Sequence, residues 1–180
     1  WVLSAVFDQD FLDCSHGFRP NRSPHTALRR LREGMWQHTV RYVVESDLQS
    51  YFDTVNHEWL RKFVRHRVND GGLVRLLDQW LKAGVMENGV VTHLDEGVPQ
   101  GGPVSPVLSN VYLHYVLDLW FERRFKSSCR GEAYLFRYAD DFVACFQYRD
   151  DAERFMKELR ERLKKFHLEL EDSKTRLLQF

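Results

Sequence analysis

Residues 133–147 read AYLFRYADDFVACFQ, two short apolar runs on either side of the adjacent aspartates Asp140 and Asp141. Leu135, Phe136 and Tyr138 before the pair, and Phe142, Val143, Cys145 and Phe146 after it, are the aromatic and β-branched residues that paired strands favour. Neighbouring residues of a strand face opposite ways, so a tight turn is needed to present both carboxylates together. An Asp-Asp pair can also be plain turn material, because aspartate is a common turn residue. A third carboxylate changes the reading.

That carboxylate is Asp47, at the end of a strand predicted over Arg41–Leu48 within RYVVESDLQSYFDTVNHEWL. Two strands that end side by side in aspartates can hold divalent metal. Magnesium prefers hard oxygen ligands and takes one or two protein carboxylates, leaving its remaining positions to water and substrate phosphates. Two such ions about 4 Å apart can clamp the attacking and leaving oxygens of a phosphoryl transfer. Alone, Asp47 would be an ordinary strand-end or helix-cap aspartate. The combination with Asp140 and Asp141 points to metal.

The 180 residues, 43% of them hydrophobic, suffice for one core, which can divide into two lobes. Lys+Arg and Asp+Glu both number 26, so net charge does not announce a nucleic-acid partner. The basic residues are nevertheless clustered, in FRPNR, LRRLR, LRKFVRHR, FERRFK and RLKK, a pattern shared by solvated helix faces and nucleic-acid surfaces. Cys14, Cys129 and Cys145 are odd in number and form no CxxC, which argues against a disulfide framework or a structural zinc site and fits a reducing, bacterial-type cytoplasm. With neither an apolar run of transmembrane length nor a secretory leader, no membrane partner is expected. The start at Trp1 without methionine and the stop straight after RLLQF suggest a piece of a longer polypeptide.

In chain order, the opening to Phe11 has no clean periodicity. Ser23 and Pro24 then start a helix whose apolar stripe is Ala27, Leu28, Leu31 and Met35, ending near Gln37. Asp53 or Asn56 caps HEWLRKFVRHRV, in which His57 has no second metal ligand at suitable spacing and reads as structural. A turn at 70–72 leads to the helix LVRLLDQWLKAG, stopped by Gly84, and Asn88-Gly89 reads as the turn of a β-hairpin over 85–93. GVPQGGPVSP, with three glycines and three prolines, is neither helix nor strand and lets backbone approach a ligand. A largely buried helix follows from Ser105. Asp150 and Asp151 open the helix DDAERFMKELRERLKKF, whose core stripe is Phe155, Met156, Leu159, Leu163 and Phe166, and LELEDSKTRLLQF closes with strand, turn and strand.

Five blocks occur in fixed order: SHGFRPNRSPHTAL (15–28), ESDLQSYFDTVNHEWL (45–60), GVPQGGPVSPVLSNVYLHYVLD (97–118), YADDF (138–142) and LELEDSKTR (168–176). In these the chain resembles reverse transcriptases of the bacterial group II intron type. The resemblance implies an α+β polymerase palm, a split βαβ unit with an antiparallel sheet backed by helices. Residues 41–56 and 104–180 would form the palm and 1–40 with 57–103 part of a helical fingers subdomain. The remaining fingers, the primer grip and the thumb would lie elsewhere in the polypeptide.

It also implies RNA-directed DNA polymerase chemistry on an RNA template, a DNA or RNA primer and deoxynucleoside triphosphates, with intron RNA as a further partner. Two Mg²⁺ ions, with Mn²⁺ as a substitute, would be held by Asp47, the Leu48 backbone carbonyl, Asp140 and Asp141. Phe52 would lie under the sugar and exclude a 2′-hydroxyl, which requires a bend between Leu48 and Tyr51. Gln100 and Gly101 would line the nucleotide pocket, Lys174 would sit near the triphosphate, and Arg19 and Arg22 would contact template or nucleotide. Two other readings stay open: an RNA-dependent RNA polymerase, which usually has glycine before the aspartates, and an RNA-binding splicing maturase with a decayed polymerase.

Overall fold

The computed structural model describes residues 2–82, 85–87, 90–92, 96–98, 102 and 104–180. Its centre is a four-stranded antiparallel sheet of β1 (Tyr42–Ser46), β4 (Ala133–Tyr138), β5 (Asp141–Phe146) and β6 (Arg176–Gln179), in the order β4-β5-β1-β6. The β4–β5 hairpin expected around the double aspartate is present, with Tyr138 paired to Asp141. Helices lead from β1 to β4 and from β5 to β6, so β1 and β4 are the outer members of a split βαβ unit with β5 between them.

One face of the sheet is buried. Val44, Ala144, Leu135, Phe142 and Phe146 point into a core closed by α6 (Ser105–Leu113) and α7 (Arg149–Lys164), where Phe121, Phe125, Phe146 and Phe155 pack ring against ring. The stripe read for α7 is confirmed: Phe155, Leu159 and Leu163 are buried, and the acidic first turn and basic last turn suit the helix dipole. Beyond α6 the same rod continues as two π-helical turns, His114–Asp118 and Phe121–Phe125, which periodicity did not foretell. A π turn misaligns backbone carbonyls. Arg162 of α7 donates to two of them, Val116 O at 3.0 Å and Tyr115 O at 3.2 Å.

The other face is only partly covered by α2 (Pro24–Gln37), started by a Ser23–Thr26 capping box. Gly34 lets the helix lie close, since a Cβ there would stand 2.7 Å from the Phe136 ring. The apolar stripe expected of α2 is weaker than its spacing suggested: no residue of the helix is buried, and Leu28 is 63% exposed. Of the stripe, Ala27, Leu31 and Met35 are half-buried and Leu28 alone is exposed.

The opening residues, unassigned from sequence, form α1 (Val2–Phe7). The short α3 (Tyr51–Thr54) precedes α4 (His57–Arg67), and Asn56, not Asp53, caps α4 through Trp59 N at 3.1 Å. Helix α5 (Gly71–Lys82) starts where Asp70 Oδ1 accepts from Leu73 N, and the strands β2 (Val85–Glu87) and β3 (Val90–Thr92) pair as the expected hairpin. Its turn, 88–89, and Gly84 lie outside the described residues. No helix among those described is long and apolar enough to cross a membrane.

Tyr51 is buried and its hydroxyl donates to Ser109 O at 2.8 Å, tying the end of β1 to α6. Tyr51→Phe removes this second bond from a buried helix carbonyl and should lower unfolding free energy by about 1 kcal/mol in a urea titration; an unchanged midpoint would mean that the bond adds nothing net.

Candidate active site

The site is assembled at one end of the sheet, where β1 stops and the β4–β5 turn begins. Register pairs Ser46 with Phe142, so the next residues outward, Asp47 and Asp141, follow opposite each other on neighbouring strands. Asp140 occupies the turn itself. Asp47 Oδ1 accepts from Leu48 N at 2.9 Å, and its Oδ2 accepts from Lys174 Nζ at 2.5 Å. Lys174 is brought there because residues 169–171 run beside the end of β1: Glu171 N donates to Asp47 O and Gln49 N to Glu169 O. Leu48 bridges to Leu170 in this pairing, and its own carbonyl takes neither of the two bonds.

Electrostatics register the crowding. Partial burial, then the charge of Asp47, raise the pKa of Asp140 above the usual carboxylate value, with Lys174 and Arg137 opposing. Asp141 is raised by partial burial, then by Asp47, Asp140 and Glu45. Lys174 is held more firmly protonated than usual by its bond to Asp47. Such a cluster favours a cation. Among the described residues no three or more His, Cys, Asp or Glu side chains converge as a complete set of metal ligands. Magnesium does not need one, since it draws most of its shell from water and phosphate. The ammonium of Lys174 supplies a positive charge to Asp47.

The turn is held from behind by a group that sequence reasoning passed over. Ala139 adopts φ +58°, a left-handed conformation that costs a residue with a Cβ about 1 kcal/mol. Arg137, fully buried, donates from Nη1 to Ala139 O at 2.8 Å and to Asn110 Oδ1 at 2.9 Å. Its Nε and Nη2 form a fork on Asp118, at 2.8 and 2.6 Å, and Nη2 also reaches Ser15 Oγ at 2.8 Å. Every N–H of the guanidinium is thereby used. Burial works against its charge, but Asp118 outweighs burial and the pKa stays above the ordinary arginine value. Asn110 Nδ2 donates to Gly17 O at 2.7 Å, and Gly17 presses on the turn so closely that a Cβ would stand 2.3 Å from Ala139 N.

The remaining residues singled out from sequence fall into three groups. Phe52 is half-buried on α3, edge-on to Tyr51 at 5.4 Å, and the required bend is supplied by Ser50 at φ +44°. Gln100 and Gly101 lie outside the described residues, although the short segment before them is pinned: Val98 N donates to Phe52 O at 2.7 Å and Gly97 N to Val55 O at 2.8 Å. His57 Nε2 contacts Gly97 O at 2.5 Å, the structural place expected for it. Arg19 and Arg22 do not present free guanidinium groups. Arg19 is bonded to Asp8 and to the carbonyls of Asp8, Leu12 and Ser15, and Arg22 to Asp13 and to the carbonyls of Asp13 and Ser15. These bonds tie the side chains into their own loop, where they join Asp8, Asp13 and the carbonyls of Leu12 and Ser15.

A split βαβ sheet with carboxylates at the ends of adjacent central strands defines a polymerase-type palm. The chain belongs to the reverse transcriptase (RNA-dependent DNA polymerase) family, matched over residues 2–179. Dependence on divalent metal goes with that family. It is 35% identical to protein YkfC of Escherichia coli K12, with 79% of this chain aligned to 45% of that one. It is 38% identical to the group II intron-encoded protein LtrA of Lactococcus lactis, over 66% of this chain and 20% of LtrA. The chain thus spans less than half the length of these relatives. Among solved structures, apo telomerase from Candida tropicalis, truncated from its C-terminal domain, superposes with a TM-score of 0.74 at 15% identity, covering 99% of this chain and 39% of that one, a likeness of fold.

Because Asp140 and Asp141 titrate above the ordinary carboxylate value when folded, the folded chain binds protons more readily than the unfolded chain in that window, and their contribution to stability improves as pH falls through it. Asp141→Asn, which removes one repelling charge from an exposed and solvent-screened position, should therefore raise the melting temperature of metal-free protein at pH 7 by about 1 °C. Scanning calorimetry should find the gain shrinking toward pH 4; a gain independent of pH would assign it to something other than charge.

Proposed function

We propose that this chain carries the catalytic centre of an RNA-directed DNA polymerase, in which Asp47 and Asp140 hold two Mg²⁺ ions with Asp141 as a supporting carboxylate and the Leu48 carbonyl as a further oxygen. The single observation that carries the reading is the placement of Asp47, Asp140 and Asp141 at one end of the sheet, on neighbouring strands and the turn, with raised pKa values for Asp140 and Asp141 and a chain-derived cation on Asp47. When bound, the ions supply an acidified primer 3′-hydroxyl and charge neutralisation of the pyrophosphate leaving group, and Mn²⁺ can replace them. Lys174, 64% exposed and flexible enough to leave Asp47, then turns to the triphosphate. Phe52 sits on the corner to which Val98 is bonded, and so beside the start of the segment bearing Gln100 and Gly101, which line the nucleotide pocket.

RNA template, a DNA or RNA primer and deoxynucleoside triphosphates are the substrates, in a cytoplasmic setting and with the rest of the polypeptide supplying the remaining fingers, primer grip and thumb. Residues 41–56 and 104–180 act as palm, and 1–40 with 57–103 as partial fingers. The intron-encoded relatives favour one second reading, an RNA-binding splicing module that contacts intron RNA through the same fold.

The two readings separate in one experiment. In the protein at its full natural length, Asp140→Asn should abolish primer extension on RNA, a loss of about 1,000-fold or more, while leaving template affinity unchanged. Wild-type protein that binds intron RNA and promotes splicing but extends no primer with Mg²⁺ or Mn²⁺ would establish the second.

Sugar choice is tested at Phe52. Its replacement by alanine should raise ribonucleotide incorporation relative to deoxyribonucleotide by about tenfold or more, on the order of 1.4 kcal/mol, in single-nucleotide extension assays. Unchanged discrimination in a folded, active variant would return Phe52 to packing.

A further inference from the structure

The sheet end that bears the carboxylates is reached from the core by one side chain. Arg137 stands on β4 two residues before the turn, on the inward face that it shares with Leu135, and connects three parts of the chain far apart in sequence: Ser15 in the opening loop, Asn110 and Asp118 on the α6 rod, and the carbonyl of Ala139 in the turn. The opening loop is locked to the same place by backbone, since Arg137 N donates to Cys14 O and His16 N to Arg137 O, both at 2.8 Å. Asn110 closes the circuit through Gly17 O, and Gly17 abuts Ala139.

A fold needs a charge here less than it needs volume, because a buried ion pair can often be replaced by apolar side chains at little cost in stability. What apolar side chains cannot do is hold the Ala139 carbonyl. That carbonyl belongs to a residue at positive φ, immediately before Asp140, and its orientation sets the direction in which Asp140 and Asp141 leave the turn.

We propose that Arg137, with Asp118, Asn110 and Ser15 as its partners, is a positioning residue for the carboxylate turn, acting on catalysis through Ala139 and not through contact with substrate. The inference rests on the polymerase reading for its kinetic arm alone. Arg137 is itself held by four bonds while its fifth takes the Ala139 carbonyl, and a turn anchored in this way is what phosphoryl transfer demands, because misplacement of its carboxylates by about 1 Å can cost about 100-fold in rate.

The test uses Arg137→Lys, which keeps the charge but loses the fork, and the paired apolar replacement Arg137→Met with Asp118→Leu, both in the protein at its full natural length. Melting temperature, amide hydrogen exchange of residues 139–141 without metal or nucleic acid, and pre-steady-state nucleotide incorporation are measured on each. The expected result for folded variants is faster exchange at 139–141 by about tenfold, and a maximal incorporation rate lower by about 10–100-fold with nucleotide KM within about threefold of wild type. Should both variants fail to fold, Ser15→Ala, which removes a single bond to Nη2, should show the same split at about threefold.

A folded variant with wild-type exchange at 139–141 and wild-type maximal rate overturns the proposal and leaves Arg137 as packing. A wild-type protein with no extension activity overturns the polymerase reading instead, and the exchange measurement still decides whether Arg137 holds the turn.

Discussion

The bond between Arg137 and Asp118 is the constraint on which the remaining structure depends. Both groups are buried, and isolated ions at such depth would be costly to desolvate. Losing one partner alone would strand the other, a penalty of about 3–5 kcal/mol in comparable buried pairs. The pair therefore forces its surroundings to be complete: Asn110 must face inward from α6, Ser15 must lie against β4, and the Ala139 carbonyl must turn back. The π-helical turns belong to the same requirement, because Asp118 closes the first of them and Arg162 compensates the carbonyls that the wider winding sets loose. One ion pair thus joins a helix, the opening loop and the turn.

At the outer end of the sheet the electrostatics have the opposite character. Behind the turn each charge has its partner. In front of it three carboxylates share one lysine, and two of them are raised in pKa. Paired ions stabilise a shape, whereas crowded like charges store repulsion that a cation can relieve. The two halves are adjacent in sequence, Arg137 and Asp140 being separated by Tyr138 and Ala139 alone. The turn is the boundary between a charge-paired interior and an electrostatically loaded surface, and its strained Ala139 is where the two meet.

Much of this was legible because the signals were periodic or positional. The alternation around the double aspartate, the capping residues Ser23 and Asn56, and the apolar stripe of α7 each report on a local preference that the tertiary structure reinforces. The depth of burial along α2 was less legible: amphipathic spacing tells which face is apolar but not how much surface awaits it, and here Ala27, Leu31 and Met35 are only half-buried. The pairing of Arg19 and Arg22 within their own loop was not legible, because a loop's need for donors to its own carbonyls is invisible in sequence. Arg137 had a visible signal that went unused. Strand parity puts it on the same face as Leu135, and an arginine on an inward face requires a buried acid; Asp118, alone among the apolar residues of a buried helix, was the available one.

The same logic of shared anchors explains how the nucleotide side is tied to the carboxylates. The chain leaves β1 at Asp47, bends at Ser50, and enters α3 with Tyr51 fixed to Ser109 O and the backbone of Phe52 bonded to Val98. Gly97, at φ +89°, packs so tightly beneath that a Cβ would stand 2.9 Å from the carbonyls of Phe52 and Asp53, and His57 holds its carbonyl from the other side. The segment leading to Gln100 therefore hangs from the corner that bears Phe52, and that corner is fixed in turn to the helix that carries Asn110 and Asp118. Displacement of α6 would move the carboxylate turn and the Phe52 corner together, because both take their position from it. A rigid rod behind two loops, one holding charge and the other holding shape, lets the chain keep them in register without any direct bond between them.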